Sequence, residues 1–311
     1  MNDNLEKKPK RIGAFKEFKI FMTEYVQVIM GKKKDLLISL MFPVLAAAIV
    51  IWIAGENMFV HYDGTKSGSF VIVSAAIWGG LFNSIQTIVK DRKNIKRNYI
   101  AGARIRCYTA SRAFVQFVLC IIQSAILTLS YVGVAIVYGN ELPETGILTN
   151  YPMVEFYISI FLLMYAADAM GIMISCLVKK EEAANVLAPY ILIVQLIFSG
   201  ILFAMEGMAD YISYVMISRW GMEALGSIAN LNDLPLKIQM TVPTVPHEFE
   251  SRFDSTPEHL LTVWAVLFGF IVVFLLVEIF CFTEFPRIRK VKEIFGVKCG
   301  RKQKNNWLRN Q

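Results

Sequence analysis

Charge is scarce in this sequence. Acidic and basic residues fill 18% of its 311 positions, against about a quarter in an ordinary soluble domain. With 55% hydrophobic residues and a mean hydropathy of +0.48, the composition points to a membrane protein. Cysteine is scarce too. Cys107, Cys120, Cys176, Cys281 and Cys299 fit neither a metal cluster nor a disulfide framework by spacing; they read as buried or cytoplasmic thiols, and no metal site is expected. Histidine occurs three times, as His61, His247 and His259, and no HExxH or GxSxG run is present, which leaves an intramembrane enzyme without paired catalytic groups. A GxxxxGK[ST] phosphate loop is absent as well. So is a cleavable leader: the first 34 residues are rich in lysine and no small-residue cleavage site follows an early apolar core, so the first span is expected to be retained.

What is abundant is long apolar runs. Six are long enough for the roughly 20 residues that a spanning helix needs: Leu36 to Ala54, Ser69 to Val89, Ala113 to Tyr138, Phe156 to Val178, Val186 to Met205 and Leu260 to Phe282. The basic residues divide between the connections. Nine Lys or Arg precede the first span, eight lie between the second and third, nine follow the sixth, and Lys179 and Lys180 fill the short fourth connection. The alternate connections hold only Lys66, then none, then Arg219, Lys237 and Arg252, and carry the acids Glu141, Glu144, Glu248, Glu250, Asp254 and Glu258. Basic connections stay cytoplasmic, so both termini are expected inside. The net charge of +7 is then topological, with membrane lipids as its counterpart and no nucleic acid partner.

Residues 14 to 30 place Phe15, Phe18, Met22, Val26 and Ile29 three or four apart, with Lys16, Lys19 and Glu24 elsewhere on the wheel. That pattern predicts a helix along the membrane surface, ended by Gly31 and anchored by Lys32 to Lys34. It is either an anchor or a coupling element. The connection at 89 to 112 holds Ile95, Tyr99 and Ile100 at helical spacing, which predicts a helix extending span two and turning at Gly102. Its eight basic residues are either topological charge or a docking surface.

These residues together resemble the membrane domains of ABC exporters of the ABC-2 type, specifically the G-subfamily. The resemblance rests on Asp91-Arg92, Ile95, Arg97, Gly102 and Tyr108, on the stretch "FSGILFAMEGMADYISYVMISRWGMEAL" at 198 to 225, and on the surface helix at 14 to 30. It implies an all-α membrane protein of six transmembrane helices. An amphipathic surface helix would occupy the cytoplasmic N-terminus (1–34), the permease domain 35–283 would include a re-entrant and extracellular segment at 207–259, and a basic tail would occupy 284–311. It implies an ATPase-coupling surface at Asp91, Arg92, Ile95, Arg97, Asn98, Tyr99, Gly102, Phe18 and Phe21. It implies a cavity on a dimer axis near Trp78 and Phe82, closed by a hydrophobic plug at Ile201 and Leu202 beside Phe198. The family often has a glutamate before the position of Tyr99; here Asn98 stands there, and Asp91 is a candidate for its role. The resemblance further implies a second permease copy and an ATPase carrying ATP and Mg. That ATPase is expected as a separately encoded subunit. The absence of a targeting segment and the cysteine-free outer connections place the chain itself, as an expectation, in a bacterial plasma membrane.

Polar residues within the apolar runs are the other candidates. Asp168 lies mid-span, as either a functional acid or an interhelical hydrogen-bonding group. Glu278 is placed to reach Arg287 or the headgroups. Arg219 and Glu223 are four apart and are expected to pair, closing a turn between two short helices at about 208–216 and 220–229. Asn83, Gln86, Gln116, Gln123 and Gln195 are expected to join helices, and Pro189 either lets span five bend or fixes a kink. Besides an exporter permease, the sequence admits a permease for lipid-linked polysaccharide and a secondary transporter built on Asp168.

Overall fold

The computed structural model describes residues 12–54, 58–139, 142–143, 145–203, 205–234 and 249–294. Lys237, His247, Glu141, Glu144, Glu248, Cys299 and the tail from 295 onward lie outside the described residues, as does the side chain of Arg287. The described residues are all-α, with no strand among them. In chain order the helices are α1 (Ala14–Gly31), α2 (Lys33–Ala54), α3 (Tyr62–Ser84), α4 (Thr87–Ile100), α5 (Ile105–Tyr138), α6 (Pro152–Leu177), α7 (Glu181–Ile197), α8 (Met208–Ser213), α9 (Ile217–Ile228) and α10 (Pro257–Ile294), with a short 3-10 turn at Ser251–Phe253 before the last.

Four rods are long and apolar enough to cross a membrane: Tyr62–Tyr99, which joins α3 to α4, Ile105–Tyr138, Pro152–Leu177 and Pro257–Cys281. The first and fifth expected spans are also helical, as α2 and α7. α7 differs from its expected bounds. It runs unbroken through Pro189 but ends at Ile197, because the chain turns at Phe198 to Gly200, where Gly200 takes a φ of +76° that only glycine adopts freely. Its 17 residues give roughly 25 Å of helix, somewhat short of a hydrocarbon core of about 30 Å.

α6 is the centre of the bundle and packs against α3, α4, α5, α9 and α10. Lipid tails are as apolar as leucine, so such helices associate through close packing rather than hydrophobic exclusion. The α3–α6 contact follows that rule from both sides. A Cβ on Gly80 would lie 2.2 Å from the Met164 carbonyl oxygen, and one on Gly171 would lie 2.2 Å from Ser84 Oγ and 2.9 Å from the Leu81 carbonyl oxygen. With both backbones in contact, Ser84 Oγ donates to the Asp168 carbonyl oxygen at 2.7 Å. Side-chain amides bind the other helices. Asn83 donates to Gln123 at 2.5 Å and accepts from Ser39 at 2.8 Å, while Gln116 donates to the Asn83 carbonyl oxygen at 3.0 Å, joining α2, α3 and α5. Gln86 bonds Asn185 of α7, and Gln195 accepts from the backbone N–H of Ser218 in α9. All five amides singled out in the sequence therefore join separate elements.

α1 is helical over the expected stretch and divides its apolar residues between the bundle and the exposed side. Phe21 and Tyr25 are buried, whereas Phe15 is 71% and Val26 42% exposed. The helix carries apolar residues on two stripes, and the aromatic stripe is the one that α5 accepts: Phe21 meets Tyr108 edge-on at 5.5 Å, and Phe18 meets Phe114 at 6.1 Å.

Candidate functional site

The rod α3–α4 breaks only at Ile85 and Gln86, and a serine holds the break. Ser175 Oγ, at the end of α6, accepts from the backbone N–H groups of Ile88 and Val89, each at 3.1 Å. That supplies a partner to two of the donors that a helix start leaves free. α4 then runs to Ile100, and Gly102, at φ +97°, turns the chain into α5.

Asp91 Oδ2 lies 2.5 Å from Arg112 Nη2 and accepts from the Tyr108 hydroxyl at 3.2 Å. The Arg112 guanidinium also stacks 3.7 Å from the Tyr25 ring centroid and 4.8 Å from that of Tyr108. One arginine of α5 thus ties α1 and α4 together through a carboxylate and two aromatic faces. Burial pushes the Tyr25 hydroxyl above its ordinary value, against the lowering contacts of Thr87 and Arg112, so the phenol stays neutral beside the cation. Beneath this cluster Ile95 packs with Phe21, Tyr108, Ile88, Ile172 and Cys176. Arg92 donates to the Cys176 carbonyl oxygen at 2.5 Å, and Glu17 accepts from the backbone N–H of Arg104.

The expected coupling set is therefore divided. Phe21, Ile95 and the Asp91 carboxylate face inward and fix α1 and α4 to the bundle. Phe18, Arg92, Asn98 and Tyr99 are half-buried, and Arg97 and Gly102 are exposed. Sequence reasoning did not join the α6–α7 connection to this surface. Lys179, Lys180, Glu181 and Glu182 line a groove of about 610 Å³ opposite Lys90, Arg92, Lys93 and Lys96 of α4. The doublet of lysines was visible in the sequence; its position beside α4 depends on how the chain folds back.

Just before the α3–α4 break, Trp78 and Phe82 of α3 stack at 4.6 Å with planes 14° apart, and Phe42 of α2 lies 6.5 Å from Trp78. Phe82 is 40% exposed and Trp78 and Phe198 are half-buried. Ile201 is half-buried and Leu202 is 53% exposed, both in the turn after α7. α7 itself leaves Val186, Tyr190, Ile193, Val194 and Ile197 exposed.

In α8 and α9, Arg219 Nε lies 2.9 Å from Glu223 Oε1, and its Nη1 lies 2.5 Å from Asp210 Oδ1 and also donates to Ser213. Its guanidinium stacks 3.7 Å from the Tyr214 ring. Asp168 is fully buried, and neither carboxylate oxygen accepts a hydrogen bond among the described residues. Glu278 is 2% exposed. The described residues contain no group of three or more His, Cys, Asp or Glu placed to hold a metal ion.

The pattern that defines the ABC-2 type transporter family matches residues 27–229, a range that holds α2 to α9 and most of the surfaces above. An ABC transporter ATP-binding/permease protein of Mycobacterium tuberculosis is 22% identical over 266 residues, covering 82% of this chain and 29% of that protein. The chain thus spans less than a third of the length of that relative.

Proposed function

Since the chain belongs to the ABC-2 type transporter family, we propose that this multi-pass membrane protein is the permease subunit of an ATP-driven exporter, forming the substrate path as a dimer. The basic end of the bundle is cytoplasmic on this reading, and all six apolar helices cross the bilayer. α1, α4 and the α6–α7 connection receive the ATPase subunits. ATP and Mg belong to the ATPase on this reading, and the 311 residues hold no phosphate-loop motif of their own.

The observation that carries the reading is that α4 follows α3 in one rod, interrupted only at Ile85 and Gln86, where Ser175 holds the break. Phe82 lies nine positions before Asp91, or roughly 14 Å along the rod, so a displacement of α4 is delivered through the Ser175-held break to the Trp78–Phe82 stack. The Asp91–Arg112–Tyr25 cluster makes α1 move with it. When ATP binding draws two ATPase subunits together, the paired α4 helices follow and the cavity between two copies changes shape. Cargo then leaves past Ile201 and Leu202, with α8 and α9 as a re-entrant pair that Arg219 holds closed. The exposed apolar face of α7 and the aromatic edge of α3 give a second copy its contact, and their chemistry suits an apolar or amphipathic cargo.

The test is purification of the intact complex from native cells in mild detergent, followed by assay of ATP hydrolysis. A soluble ATPase should accompany the chain, and Lys96→Glu with Arg97→Glu, both at exposed positions, should lower its recovery at least tenfold without unfolding the bundle. The buried Asp168 favours one rival, an ion-coupled transporter. Transport that survives ATP removal while ion gradients are held would establish that rival and sink the pump.

A further inference from the structure

On the flank of the bundle, away from the proposed path, a groove of about 740 Å³ opens between α5, α6 and α10. Its lining is mostly apolar, with Phe114, Leu275 and Tyr165 among it, and it holds a basic group, Arg106 on α5, and a carboxyl group, Glu278 on α10. Glu278 is 2% exposed and belongs to none of the ion pairs among the described residues; its Oε1 accepts no hydrogen bond there. A carboxyl oxygen withdrawn from water without a donor is costly. The terminal torsion of a glutamate is broad, so the group turns an oxygen into the groove at little cost.

Depth narrows the source of the missing donor. Glu278 lies 21 residues after Pro257, the first residue of α10, or roughly 32 Å along the helix, which is about one hydrocarbon thickness. It therefore sits at the headgroup boundary of the leaflet at the basic end. Arg106, the second residue of α5, is exposed on the same side. We propose that this groove binds a phospholipid with a primary-amine headgroup, of the ethanolamine type. Its ammonium donates to Glu278, its phosphate meets Arg106, and an acyl chain lies along Phe114 and Leu275. Both signs of charge are needed for that match. A choline headgroup has no N–H to donate, and a glycerol headgroup offers no cation. The site needs only α5, α6 and α10 in a membrane, so it stands or falls independently of the ATPase reading.

The test is native mass spectrometry of the full chain, without ATPase, released from micelles holding equal amounts of phosphatidylethanolamine, phosphatidylcholine and phosphatidylglycerol. The ethanolamine lipid should be retained several-fold over the other two. Glu278→Gln, which keeps the shape and removes the charge, should bring it down to the level of the choline lipid, and so should Ala110→Trp, which fills the groove with Glu278 intact. Thermal midpoints show which variants are folded, and either one alone decides the matter. Equal retention of the three lipids by the unaltered chain, or a preference unchanged in a folded variant, overturns the site.

Discussion

Two arginines are bound in nearly the same way at opposite ends of this molecule. Arg112 and Arg219 each stack 3.7 Å from a tyrosine ring and each lie 2.5 Å from an aspartate oxygen. Their partners differ in sequence distance. Arg219 is held by Asp210, Ser213, Tyr214 and Glu223, all within nine positions, and closes one local helix pair. Arg112 is held by Tyr25 and Asp91, on two other helices, 87 and 21 positions away. The same chemistry shapes a hairpin in one place and assembles three helices in the other. On the proposed reading, only the second kind of knot can carry motion from α1 and α4 to the rest of the bundle.

Arg112→Ala should give the largest effect. Removing one partner of a buried pair costs about 3–5 kcal/mol; the low end applies here because the Asp91 side chain is 31% exposed. The loss should exceed stability alone, since α1 and α4 would no longer move together. Recovery of ATPase and stimulated hydrolysis should both fall by more than tenfold, measured against a variant of equal thermal midpoint. Equal midpoints with equal hydrolysis would reduce the Arg112 knot to packing.

Arg219→Lys should act more weakly and differently. Lysine keeps the charge but loses the planar fork that reaches Asp210, Ser213 and Glu223 together, and with it the flat stack on Tyr214. About 2 kcal/mol should be lost, on the scale of one hydrogen bond to a charged group, with ATPase recovery unchanged. If recovery fell as steeply as for Arg112, the contrast between a local and a long-range knot would be wrong.

The same contrast explains what could be read from the sequence. Arg219 and Glu223 are four apart, so helical spacing alone pairs them, and Gly102 marks the turn after α4 by its identity. The long apolar runs give the helices directly. Asp91–Arg112 was not legible, because it depends on how sharply the chain reverses between α4 and α5. The docking of α1 on α5 was not legible, because that helix has two apolar stripes, and Tyr25, a buried residue with a polar tip, does not count as apolar in a periodicity. The early end of α7 was hidden in a stretch, Phe198 to Phe203, whose composition continues the apolar run while Gly200 interrupts it. Lys179 to Glu182 reach α4 only through the packing of α6 against α3, which rests on Gly80 and Gly171, two residues whose meaning is visible only when the opposing backbone is in view.

The smallest expected effect concerns a third cluster, at the acidic end. Glu250 accepts from Tyr62, from Lys66 at 2.8 Å and from Arg252 at 2.7 Å, joining the start of α3 to the segment before α10. Burial alone would raise its carboxyl, but the bonds from Lys66, Tyr62 and Arg252 outweigh it and hold the group down from its ordinary 4.5 to about 2. A carboxyl lowered in the folded state contributes stability that is complete above its unfolded value and is lost as pH falls toward the folded one. The window is therefore from about 4.5 down to about 2. Glu250→Gln removes the titration and retains the shape. Its thermal midpoint should lie below that of the unaltered chain at pH 6, and the gap should narrow steadily as the pH is taken to 3. This cluster resembles the Arg112 knot in joining distant segments and the Arg219 knot in lying at the end away from the proposed coupling surface. ATPase recovery should follow position rather than sequence distance and stay constant in Glu250→Gln; a gap in midpoint that is the same at both pH values would show that Lys66 and Arg252 do not hold the carboxylate as the geometry implies.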